Sequence, residues 1–206
     1  MSVSYNYAKI IFDTLIEVLT MKYYFPENPQ KIKIVCPWLH DIDNILNQYG
    51  FSFPNIFFDP KFEEEDFYSI SSILVTFLTK LDLINSDEVI VVTLQYGNQS
   101  KPTKTNANFN KNEAKFLLKV LDKGGNVLLH DHLHAKMIYS ELGIISGSAN
   151  LSNEACFFYS ENINLFNKND RNYQSNLNNI SDFISEAETN TNNNIPNLRA
   201  YLQSYL

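Results

Sequence analysis

Residues 126–150 read NVLLHDHLHAKMIYSELGIISGSAN, a stretch that combines a strand pattern with a group of histidines and a lysine. The run from Asn126 to Tyr139 predicts one β-strand, and Gly143 to Ser146 predicts the start of another short one. We expect the two to form a hairpin-like pair around residues 140–142, which carries the chemistry of the protein.

Polar side chains recur in this predicted strand at every second position: His130, His132, His134 and Lys136. Because a regular strand points alternate residues to the same face, all of them are expected on one face. A single histidine on a strand is more often a hydrogen-bonded core residue, and that interpretation stays open for His130 and for His132 individually.

Predicted helices and strands alternate upstream of this stretch. The predicted elements are a helix over 8–20, a buried strand over 31–37 followed by Trp38 and His40, a helix over 67–81 and a central strand over 88–94. After a polar loop over 98–110, Asn112 is expected to cap a helix over 113–123 that ends at Gly124. This succession is typical of an α/β fold.

Downstream, the composition shifts to asparagine and serine after Phe166. The pattern predicts a helix over 173–187, a polar linker over 189–194 and a last short helix. Only two cysteines occur, Cys36 and Cys156, and their apolar neighbours indicate reduced core thiols.

Bulk composition narrows the class of protein. With 206 residues and 44% hydrophobic residues, the chain can bury one substantial core. It has no apolar run of about 18 residues and no secretory signal pattern, so a cytoplasmic protein without stable membrane association is expected. The formal net charge of −7 argues against a surface that is basic throughout, although it permits a local basic cleft.

A string of motif residues carries a family resemblance. His134-Ala135-Lys136 is followed after four residues by Glu141, then by Gly147-Ser148-Ala149-Asn150 and later by Ser160-Glu161-Asn162. The string resembles the HxKxxxxD signature of the phospholipase D superfamily, with its GSxN element and later glutamate, as found in small bacterial endonucleases of that family. The resemblance covers roughly residues 31–165. It departs from the pattern at Glu141, where the family has aspartate.

The resemblance implies a phospholipase D-like α/β sandwich with a mixed central β-sheet flanked by helices. It implies a catalytic domain over 1–166, and we expect a C-terminal helical extension over 167–206 to pack on the same domain. Family members with two motifs use both in one site, whereas this sequence has a single HxK, since His40 is followed by Asp41 and Ile42. A homodimer that joins two copies of the motif is therefore expected.

The resemblance also implies roles for individual residues. His134 would attack phosphorus and form a phosphohistidine, while Lys136, Ser148 and Asn150 would hold the phosphate oxygens. Glu161 would accept a hydrogen bond from the second ring nitrogen of His134. Glu141, as an ion-pair partner, and His132 are expected to support the site. No metal and no cofactor is required, and nucleic acid is the expected substrate of this hydrolase.

Two other functions remain open at the level of the sequence. His130, His132 and His134 are residue types that bind zinc, which permits a zinc-dependent hydrolase. Alternatively, a phospholipase D-like protein that has lost activity would bind nucleic acid or act as a scaffold. The reacting group of a phospholipid is the same phosphodiester, so the sequence does not choose the substrate.

Overall fold

A computed structural model describes residues 7–28, 30–39, 72–76, 88–95, 107–157 and 161–206. The described residues form one mixed sheet of six strands in the order β3-β2-β1-β4-β5-β6. The strands are β1 (Ile32–Val35), β2 (Val89–Leu94), β3 (Asn126–His130), β4 (Met137–Ser140), β5 (Gly143–Gly147) and β6 (Ile163–Phe166). Strands β1, β2 and β3 run parallel, and β4, β5 and β6 each run antiparallel to the preceding neighbour in the sheet.

Helices cover both faces of this sheet. They are α1 (Tyr7–Tyr24), α2 (Ala107–Asp122), α3 (Asn153–Phe157), α4 (Tyr173–Asn194) and α5 (Leu198–Gln203), and residues 72–76 are also helical. The prediction of an α/β fold with a mixed central sheet flanked by helices is confirmed. Among the described residues, no helix combines the length and the apolar character needed to cross a membrane.

Strand β2 shows how the sequence produces two cores. Val89 and Val91 pack with α1, α2 and α5 on one face, whereas Ile90, Val92 and Leu94 pack with α4 on the other. All six side chains of β2 are buried, because helices cover both faces. The β-branched run therefore fits a central strand, as predicted.

The predicted strand over Asn126 to Tyr139 is wrong, because the structure divides it into β3 and β4. These strands are not neighbours, since β2 and β1 lie between them. Residues 131–136 cross this gap of roughly 14 Å, well within the roughly 20 Å reach of six extended residues. The break begins where the N–H of His132 donates to Nδ1 of His130, a side-chain bond that competes with strand pairing. The four polar side chains therefore do not share one strand face.

Two helix boundaries also differ from prediction. Helix α2 begins at Ala107, so the prediction that Asn112 caps it is wrong, because Asn112 lies inside the helix. Asparagine is a weak helix former, but a helix tolerates one at an interior position. Helix α4 continues through the predicted linker to Asn194, because its last turns bond to the sheet. Thr191 Oγ1 accepts from the Leu129 N–H at 2.8 Å, and this tertiary contact outweighs the weak local propensities.

Other expectations are confirmed. Helix α1 and strand β1 lie at the predicted positions, and β4 and β5 form a hairpin with residues 141–142 as the turn. Gly124 ends α2 with a positive φ of 90°. Cys36 and Cys156 are buried free thiols. His40, most of the predicted helix over 67–81 and the loop up to residue 106 lie outside the described residues.

Candidate active site

The motif residues gather at one edge of the sheet, where the parallel strands have their carboxyl ends. Val35 at the end of β1 pairs with Met137 at the start of β4, and Gly147 at the end of β5 pairs with Ile163 at the start of β6. The segments that contain His134, Ser148 and Glu161 therefore adjoin the end of β1. Ligands of α/β sheets commonly bind outside the carboxyl ends of such strands.

An open depression of about 560 Å³ lies at this edge. His134, Lys136 and Ser148 line it together, so the structure brings these predicted site residues to one place. Its volume falls within the roughly 300–1,000 Å³ of typical small-ligand sites. Asn150 and Glu161 are not among its lining residues.

His134 and Lys136 differ in exposure. The His134 side chain is exposed, whereas Lys136 is only 9% exposed. Lys136 Nζ donates to the backbone oxygen of His134 at 2.8 Å. An ammonium has further donors beyond that one, so Lys136 places a positive charge with remaining hydrogen-bonding capacity beside the exposed imidazole.

Ser148 links the GSxN segment to the segment that carries Glu161. Its Oγ donates to Glu161 Oε2 at 2.5 Å and accepts from the Asn162 N–H at 3.0 Å. A Cβ on Gly147 would lie 2.0 Å from the Asn162 oxygen, so only glycine permits this close approach. In the single chain, Glu161 thus pairs with Ser148, and the expected bond from His134 to Glu161 is not formed among the described residues.

Asn150 contacts the end of β1. Its Oδ1 lies 3.8 Å from Cys36 Sγ, and the neighbouring Leu151 N–H donates to the same sulfur at 3.3 Å. Burial raises the pKa of Cys36 to about 11, which keeps it a neutral thiol at physiological pH. This contact fixes the GSxN segment against β1.

Glu141 lies in the β4–β5 turn, at the opposite end of the hairpin from the depression. It accepts from the Tyr139 hydroxyl at 3.0 Å and forms an ion pair with Lys168 at 3.6 Å. Glu141 therefore interacts with the hairpin and with Lys168, and it lies away from the depression.

The histidines at 130 and 132 lie apart from His134. His130 is buried, and its Nε2 lies 3.0 Å from Glu186 Oε2 while its Nδ1 accepts from a backbone N–H. Nε2 therefore carries the proton. Of the interpretations that the sequence left open for His130, the structure supports the hydrogen-bonded core residue. His132 is 86% exposed beside Asp131, and hydrogen bonding to His132 lowers the pKa of Asp131.

The zinc interpretation required His130, His132 and His134 to converge. Within the part of the chain that the structure describes, no three His, Cys, Asp or Glu side chains are arranged to hold a metal ion. The reason is the break in the predicted strand, which buries one imidazole and exposes the next. The three-histidine zinc site is therefore wrong.

Comparisons with known proteins found little. No family model matches the chain, and no curated protein matches it. Among solved structures, the chain is similar to a phospholipase D family member, Nuc from Salmonella typhimurium, at 14% identity and a TM-score of 0.46. The match covers 83% of this chain and 86% of that one.

Sequence reasoning missed one wall of the depression. Asn176, Asn179 and Phe183 of α4 line it, together with Trp38, which follows β1. The three α4 residues stand at i, i+3 and i+7, the spacing of one helix face. That spacing was visible in the sequence, but nothing in it indicated that this face meets the motif.

A buried acid lies behind the site. Glu113 of α2 is fully buried, and Thr93 Oγ1 lies 2.7 Å from its Oε1. Burial raises the pKa of Glu113 well above its ordinary value, and hydrogen bonds from Thr93 and the Leu39 backbone only partly oppose this. Burial therefore favours the neutral form of Glu113, and its hydrogen bonds tie the Leu39 segment to β2 and α2.

Proposed function

We propose that this protein is a metal-independent phosphodiesterase, and specifically a nuclease, that acts through a phosphohistidine intermediate at a site shared by two subunits. The observation that carries the proposal is the convergence of His134, Lys136 and Ser148 in one depression at the sheet edge. An exposed imidazole, a buried ammonium and a hydroxyl supply a nucleophile, a cation and a neutral donor for phosphoryl transfer.

The reaction begins with attack of a ring nitrogen of His134 on phosphorus. The P–N bond forms as the bond from phosphorus to the leaving oxygen breaks, and the leaving alkoxide takes a proton from His134 of the partner subunit. That partner imidazole then removes a proton from water, which attacks phosphorus and releases His134. Lys136 stabilises the non-bridging oxygens throughout.

The need for a second subunit follows from the count of imidazoles. One histidine must start neutral to attack, and another must start protonated to donate. The sequence has four histidines, of which only His134 follows the HxK pattern. His130 is buried against Glu186, so a second His134 from a two-fold partner is the simplest proton donor.

Glu161 and Ser148 act as a pair in this proposal. Glu161 Oε2 holds the Ser148 hydroxyl. The other carboxylate oxygen is the atom that we propose accepts from His134 once the subunits associate, which fixes the imidazole tautomer. Phosphate binding then competes with Glu161 for the Ser148 hydroxyl.

Hydrolysis of methyl p-nitrophenyl phosphate and of single- and double-stranded DNA in excess chelator tests the proposal. We expect turnover that survives chelator, is abolished in His134→Ala and is largely retained in His130→Ala, with circular dichroism used to verify folding of both variants. Equal loss in two folded variants contradicts the role of His134. Nucleic-acid binding without turnover by the wild-type protein favours the inactive binding or scaffolding function instead.

A further inference from the structure

The proposed chemistry leaves one wall of the depression without a role. That wall consists of Trp38 from the end of β1 and of Asn176, Asn179 and Phe183 from α4, which we call the α4 wall. The proposed mechanism gives none of these four side chains a role in phosphoryl transfer. They are, however, residue types that recognise flat, polar-edged molecules.

Trp38 is held in place by its neighbours. The Cys36 thiol donates to the Trp38 backbone oxygen at 3.1 Å, and the next residue, Leu39, forms a β-bridge with Leu151 beside the GSxN segment. The Trp38 side chain is half-buried, so part of the indole is accessible at the depression. An accessible indole on a backbone held in this way provides a stacking surface, and a tryptophan side chain has little conformational entropy to lose on binding.

The backbone of α4 is likewise held in place. Ile180, Ile184 and Ala187 bury the adjacent face of α4 against the sheet, and Phe183 packs against the same cluster. Asn176 Nδ2 donates to the Asn172 oxygen at 2.9 Å, so its Oδ1 remains as an acceptor. Asn179 is exposed and offers both a donor and an acceptor.

Phe183 adds an aromatic side to the same wall. It is half-buried, and its ring meets the His130 ring edge-on with centroids 6.0 Å apart. The His130 hydrogen bond to Glu186 of α4 holds this pair together. The wall therefore combines two aromatic rings with two amides on fixed backbone elements.

We propose that the α4 wall is a subsite for an unpaired nucleobase next to the scissile phosphate, so that the protein acts on single-stranded nucleic acid. The assignment rests on the proposed phosphodiesterase function for the position of the phosphate, at His134 and Lys136. Trp38 stacks on the base, and the amides of Asn176 and Asn179 bond to its polar edge. A paired base in a duplex presents neither its faces nor its pairing edge, so duplexes are disfavoured.

The charge of the depression argues against a choline headgroup. Among the described residues that line it, only His134 and Lys136 are ionisable, and both are bases. Among these lining residues a quaternary ammonium therefore meets two bases and no carboxylate, whereas a nucleobase is neutral. In a two-fold dimer, two copies of the wall flank the shared phosphate, one for the nucleoside on each side.

Trp38 is the only tryptophan of the chain, so its fluorescence reports directly on the wall. We would titrate the wild-type protein with dAMP and dTMP, with deoxyribose 5-phosphate and phosphocholine as base-free probes, and with a short oligonucleotide as single strand and as duplex. The same titrations with Asn176→Ala/Asn179→Ala test the amides. Asn192→Ala, an exposed asparagine of the same helix that does not line the depression, is the matched control.

The proposal predicts that the nucleotides quench Trp38 fluorescence and that the base-free probes do not. The double variant should bind the single strand roughly ten- to hundredfold more weakly, and the control should match wild type. Equal effects of dAMP and deoxyribose 5-phosphate, preferential quenching by phosphocholine, or equal affinity for single strand and duplex would each overturn it. Turnover of methyl p-nitrophenyl phosphate on the same samples tests the phosphodiesterase function separately, since that probe has no base.

Discussion

The structure predicts that the Glu113→Gln substitution changes how the free energy of unfolding depends on pH. The Glu113 carboxyl is fully buried, and burial raises its pKa well above the ordinary value. Among the described residues its Oε2 has no hydrogen-bond partner, so the hydrogen bonds from Thr93 and the Leu39 backbone would compensate only part of the charge of an ionised Glu113 in the core. In the unfolded chain the same group titrates near its usual pKa of about 4.3.

The direction in which stability changes with pH follows from the difference between the pKa of Glu113 in the folded protein and in the unfolded chain. Above about pH 4.3 the unfolded chain releases a proton that the folded protein retains, so rising pH favours unfolding. The stability contributed by the retained proton is fully present below that pH and is lost as pH rises through the raised folded pKa. The loss has a maximum slope of about 1.4 kcal/mol per pH unit. A glutamine side chain cannot titrate, so the Glu113→Gln variant lacks this contribution.

Urea unfolding of wild type and Glu113→Gln at pH 4.5, 5.5 and 6.5 measures the difference. As pH rises through this range, we expect the stability of the variant relative to wild type to increase, by at most about 1.4 kcal/mol per pH unit. Glu113→Leu also lacks the titrating group and should show the same change of slope, whatever its absolute stability. Parallel profiles for all three proteins would refute the buried neutral acid.

Three further predictions concern packing and thiol reactivity. Gly147→Ala should lower the free energy of unfolding, measured in urea, by roughly 1–3 kcal/mol, because its Cβ would collide with the Asn162 oxygen. An unchanged midpoint of urea unfolding would refute that contact. Thr191→Val should cost about 1–3 kcal/mol, since it leaves the Leu129 N–H without its acceptor, and a neutral result would show that this bond is not made. Burial and a pKa raised to about 11 should keep Cys36 unreactive with Ellman's reagent at pH 8 until urea unfolds the protein, whereas fast labelling of the native chain would contradict its burial.

The sequence predicted the elements whose pattern is local. Residues 89–94 form a central strand because their β-branched run suits two buried faces. The β4–β5 hairpin and the glycine that ends α2 are likewise encoded by neighbouring residues. His134, Lys136 and Ser148 meet because the segments that carry them all follow or precede strand ends at the same edge of the sheet.

What the sequence did not predict depends on distant contacts. The alternation from His130 to Lys136 matches a strand, yet β4 pairs with β1, and the crossing leaves His130 buried and His132 exposed. The polar end of α4 remains helical because Asn190 and Thr191 bond to β3. Asn176, Asn179 and Phe183 line the depression because α4 packs on the sheet beside the motif, and this packing is not encoded by neighbouring residues.

We propose that His134 side chains from two subunits form one active site, and mixing wild-type and variant chains tests this proposal. Wild-type protein is unfolded and refolded with a ninefold excess of His134→Ala, and phosphodiester hydrolysis is measured per wild-type chain. Random pairing places about nine-tenths of the wild-type chains in mixed dimers that contain a single His134 imidazole, so we expect the activity per wild-type chain to fall about tenfold. Activity per wild-type chain that is unchanged by the excess variant would contradict the shared site.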